Sequence, residues 1–122
     1  MDPVKTRHYY ESLTEEDLCD CHYCRNFRRH VKEAYPAVAE YLKSLGADIE
    51  KTFESFPLDP GPQDEIEYLD VQYVILGSPE GFQLPELPDM TVEITDVHPP
   101  TDLEEEHFVI QLYPFRLKWT EE

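Results

Sequence analysis

The chain has 122 residues, 40% of them apolar, with ten Lys/Arg against 27 Asp/Glu and a formal net charge of −17. This length and apolar content suit a single domain, residues 1–122, with a core of its own, and eight Tyr, six Phe and one Trp exclude a wholly disordered chain. No run approaches the roughly 20 apolar residues that a membrane span needs.

The charge is uneven. Residues 1–45 carry seven Lys/Arg and eight Asp/Glu, whereas residues 46–122 carry three and nineteen. Such a surface repels phosphate backbones and anionic membranes. Neither nucleic acid nor membrane is therefore expected as a partner, and a basic protein is the expected class. The start, Met1-Asp2-Pro3-Val4-Lys5, lacks the basic region and apolar stretch of a secretory signal. A cytoplasmic, reducing location is expected, in which cysteines stay as thiols or bind metal. Nothing in the pattern fixes an oligomeric state.

In chain order, residues 4–10 read as a short strand or extended arm. Ser12 to Asp17 read as a single helical turn, with cap-type residues ahead of acidic ones. Residues 1–24 thus form an arm that carries the cysteines. Apolar residues at Phe27, Val31, Ala34 and Tyr35 predict a helix from about Asp20 or Cys21 to Ala34. Pro36 opens a second helix with Val38, Tyr41, Leu42 and Leu45 on its apolar stripe, and Gly46 stops it. Residues 20–46 are therefore a helical pair. Beyond Gly46 the period shortens. Phe53 and Phe56 mark a short strand, and the prolines and glycine of 57–64 a loop. Leu69, Val71, Tyr73 and Ile75 form the apolar face of a strand over 66–76. A strand over 91–97 buries Val92 and Ile94. A last run carries Phe108, Ile110 and Leu112 and, past Pro114, Phe115, Leu117 and Trp119. Helices first and then strands joined by short loops predict an α+β fold, with the helical pair packed on a mostly antiparallel sheet of three to five strands over 50–120.

The chemistry-bearing feature is Cys19-Asp-Cys21-His22-Tyr23-Cys24, which holds all three cysteines. The Cys21-x-x-Cys24 spacing is that of a zinc knuckle, and Cys19 adds a third sulfur. Cys24 falls in the first turn of a helix, where the dipole favours thiolate. A fourth ligand has to come from elsewhere. His8 and His107, in or beside expected strands, are the foremost candidates, with His22 and His98 behind them. Two alternatives stand beside structural zinc. The cysteines are small buried thiols, or Cys21-His-Tyr-Cys24 is a redox dithiol, although no buried strand leads into it. The only basic cluster, Arg25, Arg28, Arg29, His30 and Lys32, is read as pairing with the chain's own carboxylates. Asp102-Leu-Glu-Glu-Glu-His107 is read as a solvated loop with His107 half-buried.

The runs Arg7-His-Tyr-Tyr10, Leu13 to Cys24, Ala34-Tyr-Pro36, Tyr41 to Glu50 and Glu104-Glu-Glu-His-Phe108 resemble a group of small acidic bacterial proteins with an N-terminal Cys-x-Cys-x-x-Cys cluster. The resemblance implies a bacterial cytoplasmic protein and no activity. The sequence thus points first to a non-enzymatic interaction domain with a structural zinc on Cys19, Cys21, Cys24 and one histidine, His8 or His107. The alternative is an enzyme that uses the cluster as a catalytic metal site or Cys24 as a nucleophile.

Overall fold

The computed structural model describes residues 1–121. Three helices, α1 (Pro3–Ser12), α2 (His22–Ala34) and α3 (Pro36–Ser44), precede five strands. These are β1 (Glu54–Pro57), β2 (Glu65–Leu76), β3 (Thr91–Thr95), β4 (His107–Tyr113) and β5 (Phe115–Lys118). All strand pairs are antiparallel, in the order β1-β2-β4-β3, with β5 also pairing with β2. The α+β architecture is the expected one, but the first segment is not. Residues 3–12 form a helix rather than a strand or arm. Asp2 caps it by accepting the Lys5 N–H at 3.0 Å, and Pro3 occupies the first turn, where its missing N–H costs nothing. Thr6 and Tyr10, one turn apart, are buried against the sheet. The Thr6 hydroxyl accepts the Leu76 N–H at 3.0 Å and the Tyr10 hydroxyl donates to Val74 O at 2.8 Å.

The helical pair is as expected. Tyr35 alone joins α2 to α3, and its backbone (φ −131°, ψ 62°) breaks the helical path. Phe27, Val31, Val38, Leu42 and Leu45 are buried, while Ala34 is exposed because it ends the helix beyond the sheet-facing stripe. After α3, Gly46 N–H bonds to Lys43 O and Ala47 N–H to Leu42 O, both at 2.9 Å, the paired closure of a Schellman turn. Gly46 has φ +89°, and a Cβ there would lie 2.2 Å from the Pro3 carbonyl oxygen.

One face of the sheet packs on the helices through Ile66, Tyr68, Val71, Tyr73, Ile75, Ile110, Leu112, Phe115 and Leu117. These residues do not alternate strictly. Tyr68 pairs with Phe115 and Val71 with Leu112, so Leu69-Asp70 and Tyr113-Pro114 form matched two-residue shifts on neighbouring strands. The inward set therefore changes parity in both strands at one place. Tyr68 takes the buried position expected for Leu69, which is 49% exposed. Ile94, expected inside, is 42% exposed. It lies on β3, an edge strand past which the helices do not reach. Val74, Leu76 and Val109 form a smaller core on the opposite face, with Phe53 and Leu103 against them. Buried Gln72 there donates to Val97 O at 2.9 Å, tying the loop after β3 onto the sheet. No helix among the described residues is long and apolar enough to cross a membrane.

The contact at Gly46 yields a test. Gly46→Ala is expected to cost roughly 2–4 kcal/mol, because it combines a disfavoured φ with a clash against backbone. Gly81→Ala, at φ +77° with nothing within 4 Å, should cost only about 1–2 kcal/mol. Urea unfolding of the two variants measures the difference, and equal losses would show that the approach of α1 to Gly46 is not decisive.

Candidate metal centre

The cysteine segment leaves a short 3-10 turn, Glu15–Asp17, which Asp17 secures by accepting the Thr14 N–H at 2.9 Å. Cys21 is the N-cap of α2, with extended backbone (φ −73°, ψ 165°), and its Sγ accepts the Cys24 N–H at 3.4 Å. Sulfur here does the work that Ser or Asp oxygen does at most helix starts. Two contacts from outside the segment fix its course. The Arg28 guanidinium donates to Cys19 O at 2.8 Å, and the hydroxyl of Tyr68 donates to Tyr23 O at 2.6 Å. The Tyr23 ring lies against Trp119, with centroids 5.6 Å apart.

Within this frame the three Sγ atoms all lie within 4.8 Å of one another. None is in a disulfide. Cys19 and Cys21 are exposed and Cys24 is half-buried. Two of the thiols are shifted in opposite directions. Burial works against ionisation of Cys21, but N–H groups of Cys24 and Tyr23 and hydrogen bonds with the Cys19 and Cys24 thiols outweigh it, and its pKa is lowered. Cys24 is pushed up to about 12, first by burial and then by sharing its hydrogen with Cys19 and Cys21 and by their charge. The acidic thiol is therefore Cys21. The helix-start argument for Cys24 fails because its side chain is half-buried, while Cys21, one residue ahead of the helix, collects the N–H donors.

The structure brings the three sulfurs together without a histidine. Among the described residues, the group of mutually close ligand atoms consists of Cys19, Cys21 and Cys24 alone. His8 lies on the exposed side of α1 rather than on a strand. His107 opens β4, and both its ring nitrogens have protein partners. Nδ1 faces Glu105 O at 2.7 Å and Nε2 faces the Thr101 hydroxyl at 2.7 Å. A carbonyl only accepts, so Nδ1 donates to Glu105 O. His98 Nδ1 lies 2.8 Å from Pro99 O, and His30 Nε2 lies 2.8 Å from the Thr120 hydroxyl. Of these contacts only that of His30 with Thr120 is long-range; those of His98 and His107 lie within six residues. Sequence spacing did not single out Arg28 and Tyr68 as the groups that hold the loop.

The basic stripe of α2 is internally paired, as expected. Arg25 and Arg28 each lie 3.8 Å from Asp20, and Arg25 and Arg29 share Glu121 at 3.1 and 3.2 Å. Lys32 lies 3.4 Å from Glu50. These cations face carboxylates of their own chain and do not form a free phosphate-binding row. A cleft of about 530 Å³ between α1 and α3 is bordered by Arg7, Lys43, Glu11 and Glu40, a mixed-charge rim with no nucleophile or metal-ligand set.

Comparison of the chain with protein-family models, with curated protein sequences and with solved structures finds no match. What the site can do therefore rests on its own chemistry. A triad of free thiols this close is a donor set for one soft metal ion.

The acidity difference predicts an order of reaction. With limiting iodoacetamide near neutral pH, Cys21 should be alkylated first and Cys24 last, as peptide mapping by mass spectrometry would read. Modification of Cys24 ahead of Cys21 would overturn the assignment of the acidic thiol.

Proposed function

We propose that the protein is a non-enzymatic interaction domain that holds one zinc ion on Cys19, Cys21 and Cys24. The observation that carries this reading is the closeness of three free thiol ligand atoms, all within 4.8 Å of one another, on a segment that α2 and β2 hold in place. Sulfur donors suit zinc, and zinc coordination is tetrahedral. The metal's local role is to tie the turn ahead of α2 to the first turn of that helix. The excess of carboxylates, net −17, makes a basic protein the favoured partner and a reducing compartment the fitting location.

A second reading has one observation in its favour. The lowered pKa of exposed Cys21 is what a thiol nucleophile needs. The two readings separate on metal content. Protein purified without chelator should carry one zinc per chain by mass spectrometry. Cys19→Ser and Cys24→Ser should each lose it. Metal-free protein with three freely titrating thiols would leave only the thiol reading.

The pKa directions also set how metal affinity varies with pH. Cys24, up at about 12, is protonated at neutral pH, and a metal binds its thiolate. Binding therefore releases at least that proton, and affinity rises with pH by at least about tenfold per unit. A competition titration with a chromophoric chelator at about pH 6.5 and 7.5, corrected for the chelator's own protonation, should show this slope. A flat profile would exclude Cys24 as a ligand.

A further inference from the structure

We infer that a metal on Cys19, Cys21 and Cys24 takes its fourth donor from outside the chain, and that this donor is a thiolate. The inference rests on the metal-binding reading above and names the ligand class of that site.

Zinc on sulfur sites completes a tetrahedron, and the chain brings three donors to this point. Among the described residues no histidine joins the three sulfurs in the group of mutually close ligand atoms. His107 uses both ring nitrogens on Glu105 and Thr101, and His30 faces Thr120. His98 turns to Pro99 and packs beside Phe53. Asp20, between the first two cysteines, is exposed, lies 3.8 Å from Arg25 and Arg28, and is outside the group of close ligand atoms. Burial is one-sided at the cluster. Cys24 lies on the protein side, whereas Cys19 and Cys21 are exposed, so the remaining coordination direction is on the solvent side.

Three features select a thiolate for that direction. A centre already bound by three soft sulfurs prefers a fourth soft donor over water or carboxylate. The N-terminus of α2 ends at the cluster, and its partial positive charge favours an incoming anion. Arg28 sits directly against the loop, donating to Cys19 O at 2.8 Å, and its charge, partly offset by Asp20 at 3.8 Å, lies on the same side. In the binding step the external thiol gives its proton to solvent as its sulfur bonds the metal, and nothing is oxidised or reduced. Two sources share this chemistry, a small thiol and a cysteine side chain of another protein. The acidic surface favours a cysteine flanked by basic residues.

The test uses the full chain loaded with cobalt(II), whose d–d absorption reports the donor set. N-acetylcysteine should shift and intensify these bands saturably, with the cobalt still on the protein after gel filtration, and N-acetylserine should leave them unchanged. A peptide with one cysteine among lysines should bind at least about tenfold more tightly than one with neutral flanks at low salt, and high salt should remove the advantage. Equal binding of both peptides and of N-acetylcysteine would support the thiolate donor and assign it to a small thiol. Bands that ignore N-acetylcysteine but change in Asp20→Asn or His22→Ala would place the fourth donor inside the chain and overturn the inference, while the metal site itself would stand. Bands indifferent to all of these, or cobalt stripped by the thiol, would overturn it as well. A chain that retains neither cobalt nor zinc would remove the metal reading and this inference together.

Discussion

The fold depends on β2 being paired along both edges while its inward side chains reach the helical layer. Its twelve residues pair with β1 along one edge and with β4 and β5 along the other. Its inward tyrosines also reach into the helical layer. Tyr73 is fully buried, and its hydroxyl donates to Ile49 O at 2.6 Å. Tyr68 does the same to Tyr23 O at 2.6 Å, and Tyr10 returns the favour from α1 to Val74 O at 2.8 Å. A buried hydroxyl without a partner costs on the order of 1–3 kcal/mol, so each bond constrains two distant segments to one relative position. The Tyr68 bond matters most for the metal centre. It holds the carbonyl between Cys21 and Cys24 to the central strand, so the cysteine loop takes its course from the core of the sheet.

Charge is arranged in two tiers. The cations of α2 are committed to Asp20, Glu50 and Glu121, and Glu121, with its side chain only 8% exposed, bridges Arg25 and Arg29. Pairs on an open surface contribute little each, about 0–1 kcal/mol, but this group gathers the cations of α2 beside the cysteine loop. Most of the remaining carboxylates lie on the strands and loops after residue 46, where only Lys51, Arg116 and Lys118 oppose them. The helix start beside the cysteine loop is thus closely charge-paired within a strongly acidic molecule.

Backbone signals at Pro36 and Gly46 are legible in the sequence, whereas the Asp2 cap of α1 was missed and tertiary placements leave no local trace. Pro36 and Gly46 mark the limits of α3 because proline and glycine act through their own backbones. The period-2 runs of β2 and β4 appear because both strands have a buried face. Residues 4–10 read as a short strand or extended arm, since Val, Thr and Tyr favour strands. The decisive facts were the Asp2 cap and the burial of Thr6 and Tyr10 on β2, and the second is tertiary. Leu69 and Ile94 were misplaced for the same kind of reason. A two-residue shift matched across neighbouring strands and a sheet edge beyond the helices are invisible in a single strand's pattern. At the site, the grouping of Cys19, Cys21 and Cys24 follows from their spacing within six residues. Which of them is acidic does not, because burial of Cys24 and the donors around Cys21 arise only after α2 docks. His8, His22 and His30 lie on helices and His107 on β4, and which side of those elements faces the cysteines is decided by packing.

The shortness of the cysteine segment also decides what a metal can and cannot do here. A site whose ligands span six residues closes a very small loop and joins no distant elements, unlike structural sites that draw ligands from two ends of a domain. The unfolded chain retains the same Cys-x-Cys-x-x-Cys spacing and binds metal with part of the same affinity, and binding to the unfolded state offsets stabilisation of the native one. The molecule's cohesion rests instead on more than twenty buried apolar residues and the tyrosine bonds to β2. A metal at this position is therefore a feature added to a fold that already holds together. Its physical consequences are directed outward, through two exposed sulfurs and the coordination direction they leave on the solvent side, rather than inward to the core.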